Sequence, residues 1–376
     1  VSLGYGDYTG LQLGIRLSQD NFLGSGNRAA INIQTNRFTK SASVSYMDRY
    51  LTKDGVSLAG QVYVSEFDAG NLENYIRYNK KQFGIGASIG FPVSEITSLN
   101  FGLTYRNEQI SYEQVSQFYR PYVDKQDPNS GVRFNIFEAS AGISRMTLNR
   151  GMFPTAGSLN SFNFEISTPN SDVNYFRMLY DYRQYFPITD NHNFVFMTRL
   201  RLGYGNGYGT DDNGNDHLFP FYENFRLGGN DNLRGFEGNT IGPRAIYRYP
   251  QSIPGKPGYD GVPPGLPSNP GADRLFVSRY SVGGNAMAVG GVELIVPTPL
   301  IPEENRNTVR TSFYVDVGTV WDTEFDYETY RQLQLAVNSF ALQDYSEPSN
   351  YRVSAGVSLQ WLSPMGPITF SFASAP

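Results

Sequence analysis

Two histidines and no cysteine leave this chain few groups that could run nucleophilic or thiolate chemistry. Hydrolysis through a serine needs a base positioned beside the nucleophile. His192 lies in a short turn, and His217 lies in the Gly- and Asp-rich start of a long loop. Neither falls on a strand face next to a serine and a carboxylate, so both are expected to be solvated and the chain is not expected to be an enzyme. Asp211, Asp212 and Asp216 invite a calcium reading, but Asp211-Asp212-Asn213-Gly214-Asn215 lacks the later Glu of a calcium-binding loop. Without cysteine there is no disulfide framework and no thiolate metal site. No metal and no cofactor are expected. What remains is ion pairing. Glu293 stands between Val292 and Leu294, Asp316 stands between Val315 and Val317, and Arg234 sits in Asn232-Leu233-Arg234-Gly235-Phe236.

The elements that must carry these residues follow a two-residue rhythm. Val353 to Trp361 reads V-S-A-G-V-S-L-Q-W, and Leu11, Leu13, Ile15 and Leu17 alternate with Gln12, Gly14, Arg16 and Ser18. Phe194 to Tyr204 sets Phe, Leu and Tyr against Arg199 and Arg201, and Leu99 to Arg106 turns Arg106 away from Leu103 and Tyr105. Side chains of a strand change face at each residue, so such segments have one apolar and one wet surface. The wet surface is Gly, Ser, Asn, Gln and Arg, which suits an aqueous interior better than a dry core. This is the pattern of an all-β, antiparallel transmembrane β-barrel. On it, the carboxylates of Glu293 and Asp316 point inward.

Composition agrees. Only 40% of residues are hydrophobic while aromatics reach 15%, with 27 Tyr and 26 Phe. In a membrane barrel only alternate residues meet lipid, and aromatic girdles mark both interfaces. No run of about 18 apolar residues exists to form a transmembrane helix. The start, Val1-Ser2-Leu3-Gly4, has no basic or apolar leader region, so any signal peptide is expected to have been removed or to lie upstream. A net charge of -5 with no Lys/Arg block gives no electrostatic case for nucleic acid.

Fifteen alternating segments can be counted, from Leu3–Tyr5 and Leu11–Leu17 through Phe83–Phe91 and Ala286–Val296 to Ile368–Phe372. Short connections (Val93–Ser98, Asn149–Gly157, Pro187–Asn193, Ser363–Gly366) alternate with long ones (Asp68–Lys80, Tyr112–Arg133, Gly205–Gly284, Asp322–Asn350). Outer-membrane barrels keep short turns on the periplasmic side and long loops outside, which places the amino terminus in the periplasm. Single-chain bacterial barrels have an even number of strands, so sixteen are expected, with the last one missing here. Residues 1–376 are read as one barrel domain. Tyr249–Gly271, rich in Pro and Gly, is expected to be irregular. Tyr330, Leu333, Val337 and Phe340 are spaced for a short helix on the outer loop at about 322–350.

The loop at about 205–284 runs to about eighty residues, a length usually reserved for function or disorder. Its Arg234-Gly235-Phe236 core, followed by Asn239-Thr240-Ile241-Gly242-Pro243, resembles the sixth-loop signature of the BamA family, the outer-membrane barrel assembly factors. Gly283-Gly284-Asn285-Ala286, Pro297-Thr298-Pro299, Val309-Arg310-Thr311-Ser312-Phe313, Gly318-Thr319-Val320-Trp321-Asp322-Thr323, Asp20-Asn21-Phe22-Leu23-Gly24 and Gly366-Pro367-Ile368 resemble the same family. The resemblance covers essentially the whole chain. Leu233 departs from the usual Val or Ile, the segment Glu328–Gln343 looks inserted, and the family's periplasmic POTRA domains and closing strand are absent.

The resemblance implies that the long sixth loop folds back into the lumen with its Arg bound to acidic residues of the inner wall. The alternation independently offers Glu293 and Asp316 as those residues. A planar guanidinium can grip carboxylates in a bidentate way, so Arg234 would pin the loop to adjacent strands. Gly235 would allow a tight turn, and Phe236 would wedge beside it. Also implied is a lateral gate at the first strand, Ser2-Leu3-Gly4-Tyr5-Gly6, where a client strand pairs by β-augmentation and the bilayer thins. The implied partners are unfolded outer-membrane proteins, accessory assembly lipoproteins held by POTRA domains, and outer-membrane lipid and lipopolysaccharide. A passive outer-membrane porin and a polypeptide-secretion pore of the same superfamily are the alternatives.

Overall fold

The computed structural model describes residues 2–6, 10–69, 78–112, 132–210, 214, 216–229, 232–249, 274–299, 301–302, 308–325, 341–363 and 366–375. The first half of the wall comprises β1 (Ser2–Gly6), β2 (Gly10–Gln19), β3 (Arg28–Thr35), β4 (Thr39–Asp48), β5 (Ser57–Asp68), β6 (Tyr78–Ser94), β7 (Thr97–Tyr112) and β8 (Val132–Met146). It continues with β9 (Gly157–Ser167), β10 (Tyr175–Pro187), β11 (Val195–Gly207), β14 (Ala286–Val296), β15 (Val309–Trp321), β16 (Arg352–Ser363) and β17 (Gly366–Ser374). These fifteen strands form one antiparallel sheet in chain order and coincide with the fifteen alternating segments. No pairing joins β1 to β17 among the described residues.

One neighbouring pair is not consecutive in the chain. β11 pairs with β14, and between them the long loop carries a separate ribbon of β12 (Arg244–Tyr249) and β13 (Arg274–Ser281). The sequence reading missed this ribbon, because its strands flank the Pro/Gly-rich stretch and share no rhythm with the wall. Of the stretch expected to be irregular, Tyr249 instead ends β12, and residues 250–271, like Asp211–Asn213 and the proposed helix around Tyr330–Phe340, lie outside the described residues. No α-helix occurs among the described residues.

Alternation decides which face each residue takes. On β2 the outward Leu11 is 62% exposed and Leu17 70%, and Val44, Val62, Ile85, Leu103, Val315 and Phe372 are likewise exposed. A soluble monomer rarely leaves so continuous an apolar surface in water, whereas acyl chains cover it without cost. The inner face divides in two. Along β2 it is open, with Gln12, Arg16 and Ser18 exposed. From β6 to β11 and β14 to β16 it is covered by the long loop, so the buried core lies in the lumen. There Phe219, Phe221 and Tyr222 of the loop pack on Tyr78, Ile110, Phe134, Ile136 and Tyr175 of the wall. A second cluster joins Leu227, Leu233 and Ile241 of the loop to Met287, Val289 and Val320. The long connections, 69–77, 113–131, 208–285 and 322–351, all lie at one end of the wall, but the three-residue β1–β2 and β3–β4 turns share that end, so connection length marks the two ends only from β5 onward.

Candidate functional site

Arg234 reaches the wall on two adjacent strands. Its Nε and Nη2 donate to Oδ2 and Oδ1 of Asp316 on β15 at 2.7 and 3.0 Å, and its Nη1 donates to Oε2 of Glu293 on β14 at 2.9 Å. The guanidinium lies 3.5 Å over the ring of Tyr314, which is itself held by a 2.9 Å hydrogen bond to Ser371 of β17. Register explains the assembly. Across the inner face, Arg199 faces Gly291, Gly291 faces Asp316 and Asp316 faces Ser354. A Cβ on Gly291 would stand 2.4 Å from Oδ1 of Asp316, so only glycine leaves room for the carboxylate there. Arg199 adds a second cation to Asp316 at 2.9 Å and donates to the Asn232 carbonyl, while Arg201 donates to Oδ1 of Asn232.

The turn after Arg234 is equally tight. Gly235 takes φ 87°, and a Cβ there would meet Ala373 of β17 at 2.8 Å. Ser354 Oγ donates to the Arg234 carbonyl at 2.5 Å. Phe236 is half-buried against the Leu227–Leu233–Val320 cluster. The three loop residues and two wall carboxylates named from sequence therefore meet in one place, and that place abuts the last strand.

Sequence reasoning missed a second anchor. Glu223 ends a 3-10 turn, Phe221–Glu223, and accepts from Lys80 Nζ on β6 and Arg177 Nη1 on β10, both at 3.0 Å. Arg106 Nη1 of β7 is 3.6 Å away. Behind these cations stand Glu108, 3.1 Å from Lys80, Glu138, 2.9 Å from Arg106, and Glu165, 2.6 Å from Arg177. Burial works to raise the pKa of Glu223, but Lys80, Arg106 and Arg177 outweigh it and hold the carboxyl at about 2. A cavity of about 340 Å³ lined by Arg177, Arg201, Glu223 and Asn232 separates the two anchors. The inward parity of Arg106 was readable, but nothing in the aperiodic loop marked Glu223 as its partner.

The remaining candidates are not gathered there. Among the described residues Ser2–Gly6 pairs only with β2, in a five-residue register from Ser2↔Gly14 to Gly6↔Gly10. His192, expected to be solvated, is half-buried, and its Nδ1 lies 2.8 Å from Thr155 Oγ1 because the 149–156 turn folds back against it. His217 is likewise half-buried rather than free in solvent, its backbone paired with Gly209. Among the described residues no group of three His, Asp or Glu is placed to hold a metal.

An antiparallel membrane barrel wall whose longest loop returns to the lumen, clasped by an arginine between two carboxylates, defines a plugged β-barrel. The chain belongs to the Omp85 superfamily, whose domain model matches residues 21–375. It is 29% identical to the outer membrane protein assembly factor BamA of Neisseria meningitidis serogroup B, over 99% of this chain and 44% of that protein. The BamA of Nitratidesulfovibrio vulgaris is 21% identical over 98% of this chain and 38% of its own length. Among solved structures, that of BamA from Haemophilus ducreyi lacking POTRA domains 1-3 superposes with a TM-score of 0.84 at 33% identity, over 99% of this chain and 65% of that one. The chain thus spans less than half the length of these sequence relatives, and the family read from the Arg234-Gly235-Phe236 context is the family found.

Proposed function

We propose that this chain is the membrane barrel of an assembly factor that folds and inserts β-barrel proteins into the outer membrane of a Gram-negative bacterium. The observation that carries this reading is the clasp of Arg234 on Glu293 and Asp316, which stands against β17 through Gly235 and Tyr314. It couples the luminal loop to β17, the neighbour of the closing strand that an even count requires, and so to the region of the gate. An unfolded client faces unpaired backbone groups in lipid, each costing several kcal/mol. At the seam a client strand is offered the N–H and C=O row of β1, and Gly4 and Gly6 give that row little side-chain grip on its register. Strands beside the seam are short: β2, β3 and β4 have 10, 8 and 10 residues, against 17, 16 and 15 for β6, β7 and β8. A lower apolar band there thins the bilayer next to the gate.

The role is non-catalytic, with no metal or cofactor taking part. Its partners are unfolded outer-membrane proteins, accessory lipoproteins recruited through POTRA domains of the longer protein, and outer-membrane lipid with lipopolysaccharide. Depletion of the full-length protein, followed by quantification of the outer-membrane proteome, tests the proposal. Barrel proteins as a class should fall while lipoproteins stay. An unchanged set of barrels, together with steady single-channel conductance of the purified protein, would establish a passive pore instead.

A further inference from the structure

The turn joining β2 to β3 spends conformational energy on exposing a leucine. Leu23 takes φ 52° and is 86% exposed, and Asn21 two residues earlier takes φ 66°. The left-handed region is disfavoured for a branched side chain, so this geometry persists only because the surroundings impose it. They do so through a closed set of hydrogen bonds. Phe22 N donates to the Asn27 carbonyl at 2.7 Å, Gly26 N to Asn21 Oδ1 at 2.7 Å, and Ser25 Oγ to the Phe22 carbonyl at 2.6 Å. The turn is prebuilt, and Leu23 is what it presents.

Three observations say what covers this leucine. The ring of Phe22 packs edge-on against Tyr46, which shares the outward face of β4 with Val44, so the turn continues the apolar outer surface. Tyr46 OH accepts from Asn27 Nδ2 at 2.8 Å, the arrangement of an aromatic whose body is in hydrocarbon and whose tip is wet. β2 and β3 are also among the shortest strands of the wall, which draws their turn toward the acyl layer. In the neighbouring β4–β5 turn Tyr50 is 76% exposed.

We infer that residues 20–27 form a lipid anchor in which Leu23 inserts into the interface of the leaflet at the end away from the long connections, fixing the depth of the strands next to the seam. The inference rests on the barrel lying in a bilayer, and the test separates the two. These 376 residues contain no cysteine, so Leu23→Cys, Ile15→Cys and Ser18→Cys each create a unique labelling site within the barrel. Each is labelled with bimane in phosphatidylethanolamine/phosphatidylglycerol vesicles carrying brominated acyl chains. The expected result is strong quenching at Leu23→Cys by bromine near the headgroup, at Ile15→Cys by bromine deeper in the chains, and at Ser18→Cys by aqueous iodide alone.

If Leu23→Cys behaves like Ser18→Cys while Ile15→Cys stays lipid-quenched, the anchor is overturned and the barrel stands. Shielding of Leu23→Cys from both quenchers would place a protein surface there and also overturn it. Loss of lipid quenching at Ile15→Cys would overturn the membrane reading on which the anchor depends. Leu23→Gly, which suits the backbone, should leave the fold intact and slow insertion of the purified protein into vesicles several-fold.

Discussion

The two anchors of the luminal loop use opposite charges, and they differ in what they complete. Around Arg234 the wall supplies Asp181, Glu293 and Asp316 against Arg199 and Arg201, so the loop arginine brings the cluster to three of each sign. Around Glu223 the wall already holds Lys80, Arg106 and Arg177 against Glu108, Glu138 and Glu165. Glu223 is a fourth anion laid on a balanced triple. The first anchor is therefore a missing member of its site, and the second is an addition to a site that stands without it. The cost of removing a buried charge depends on what it leaves behind, so two anchors with similar distances should not have similar weights.

The largest effect should follow from Arg234→Ala. It strands two buried carboxylates with one cation too few and is expected to cost about 3–5 kcal/mol. The readout is the urea or heat midpoint at which the folded band on an unheated gel is lost. Arg234→Lys keeps the charge but not the fork that spans Asp316 and Glu293, so it should restore only part of the loss. Wild-type heat resistance in Arg234→Ala, with assembly intact, would remove the clasp from both stability and function.

Glu223→Gln should be milder. It keeps a polar group in reach of Lys80 and Arg177 and leaves the wall neutral, for a loss of about 1–2 kcal/mol. It should also change the pH profile. The folded-state pKa of about 2 lies below the ordinary 4.5, so the stabilisation from Glu223 is complete above pH 4.5 and lost as pH falls through about 2. Wild type should loosen across that interval, followed by protease access to the loop, and Glu223→Gln should lack this component. A variant that loosens like wild type would show that other groups carry the acid response. If Glu223→Gln instead cost as much as Arg234→Ala, the contrast between completing and supplementing a site would be wrong.

The same contrast explains how much was legible beforehand. Strand count, faces and the inward aim of Glu293 and Asp316 follow from alternation, because period two leaves no freedom about which side a residue takes. Arg234 was found through its motif, not its position. Glu223 had neither signal. It belongs to an irregular stretch, and its partner Lys80 is separated from it by 143 positions, a pairing that only the folded-back path of the loop creates. The ribbon of β12 and β13 was hidden for a related reason: it packs on loop residues such as Phe325 and Leu342, so no lipid-facing rhythm marks it. Half-burial of His192 arises from a turn folding against it, which spacing does not encode.

The smallest expected effect tests whether the acidic wall's cations act on the loop as a group or through Arg234 alone. Asn232 takes hydrogen bonds from Arg199 on its carbonyl and from Arg201 on its side chain, both at 2.9 Å. Asn232→Ala deletes only the second. Arg201 is 39% exposed and keeps Asp181 at 3.1 Å, so water and one carboxylate can satisfy what the amide released. The loss should stay below about 1 kcal/mol, because no buried charge is left without a partner. Paired with Arg234→Ala in a double-mutant cycle, it should be additive if the two arginines of β11 merely line the route of the loop. A coupling above about 1 kcal/mol would mean that Arg201 and Asn232 hold Arg234 in register, and that the clasp reaches from β11 to β17 as a single unit.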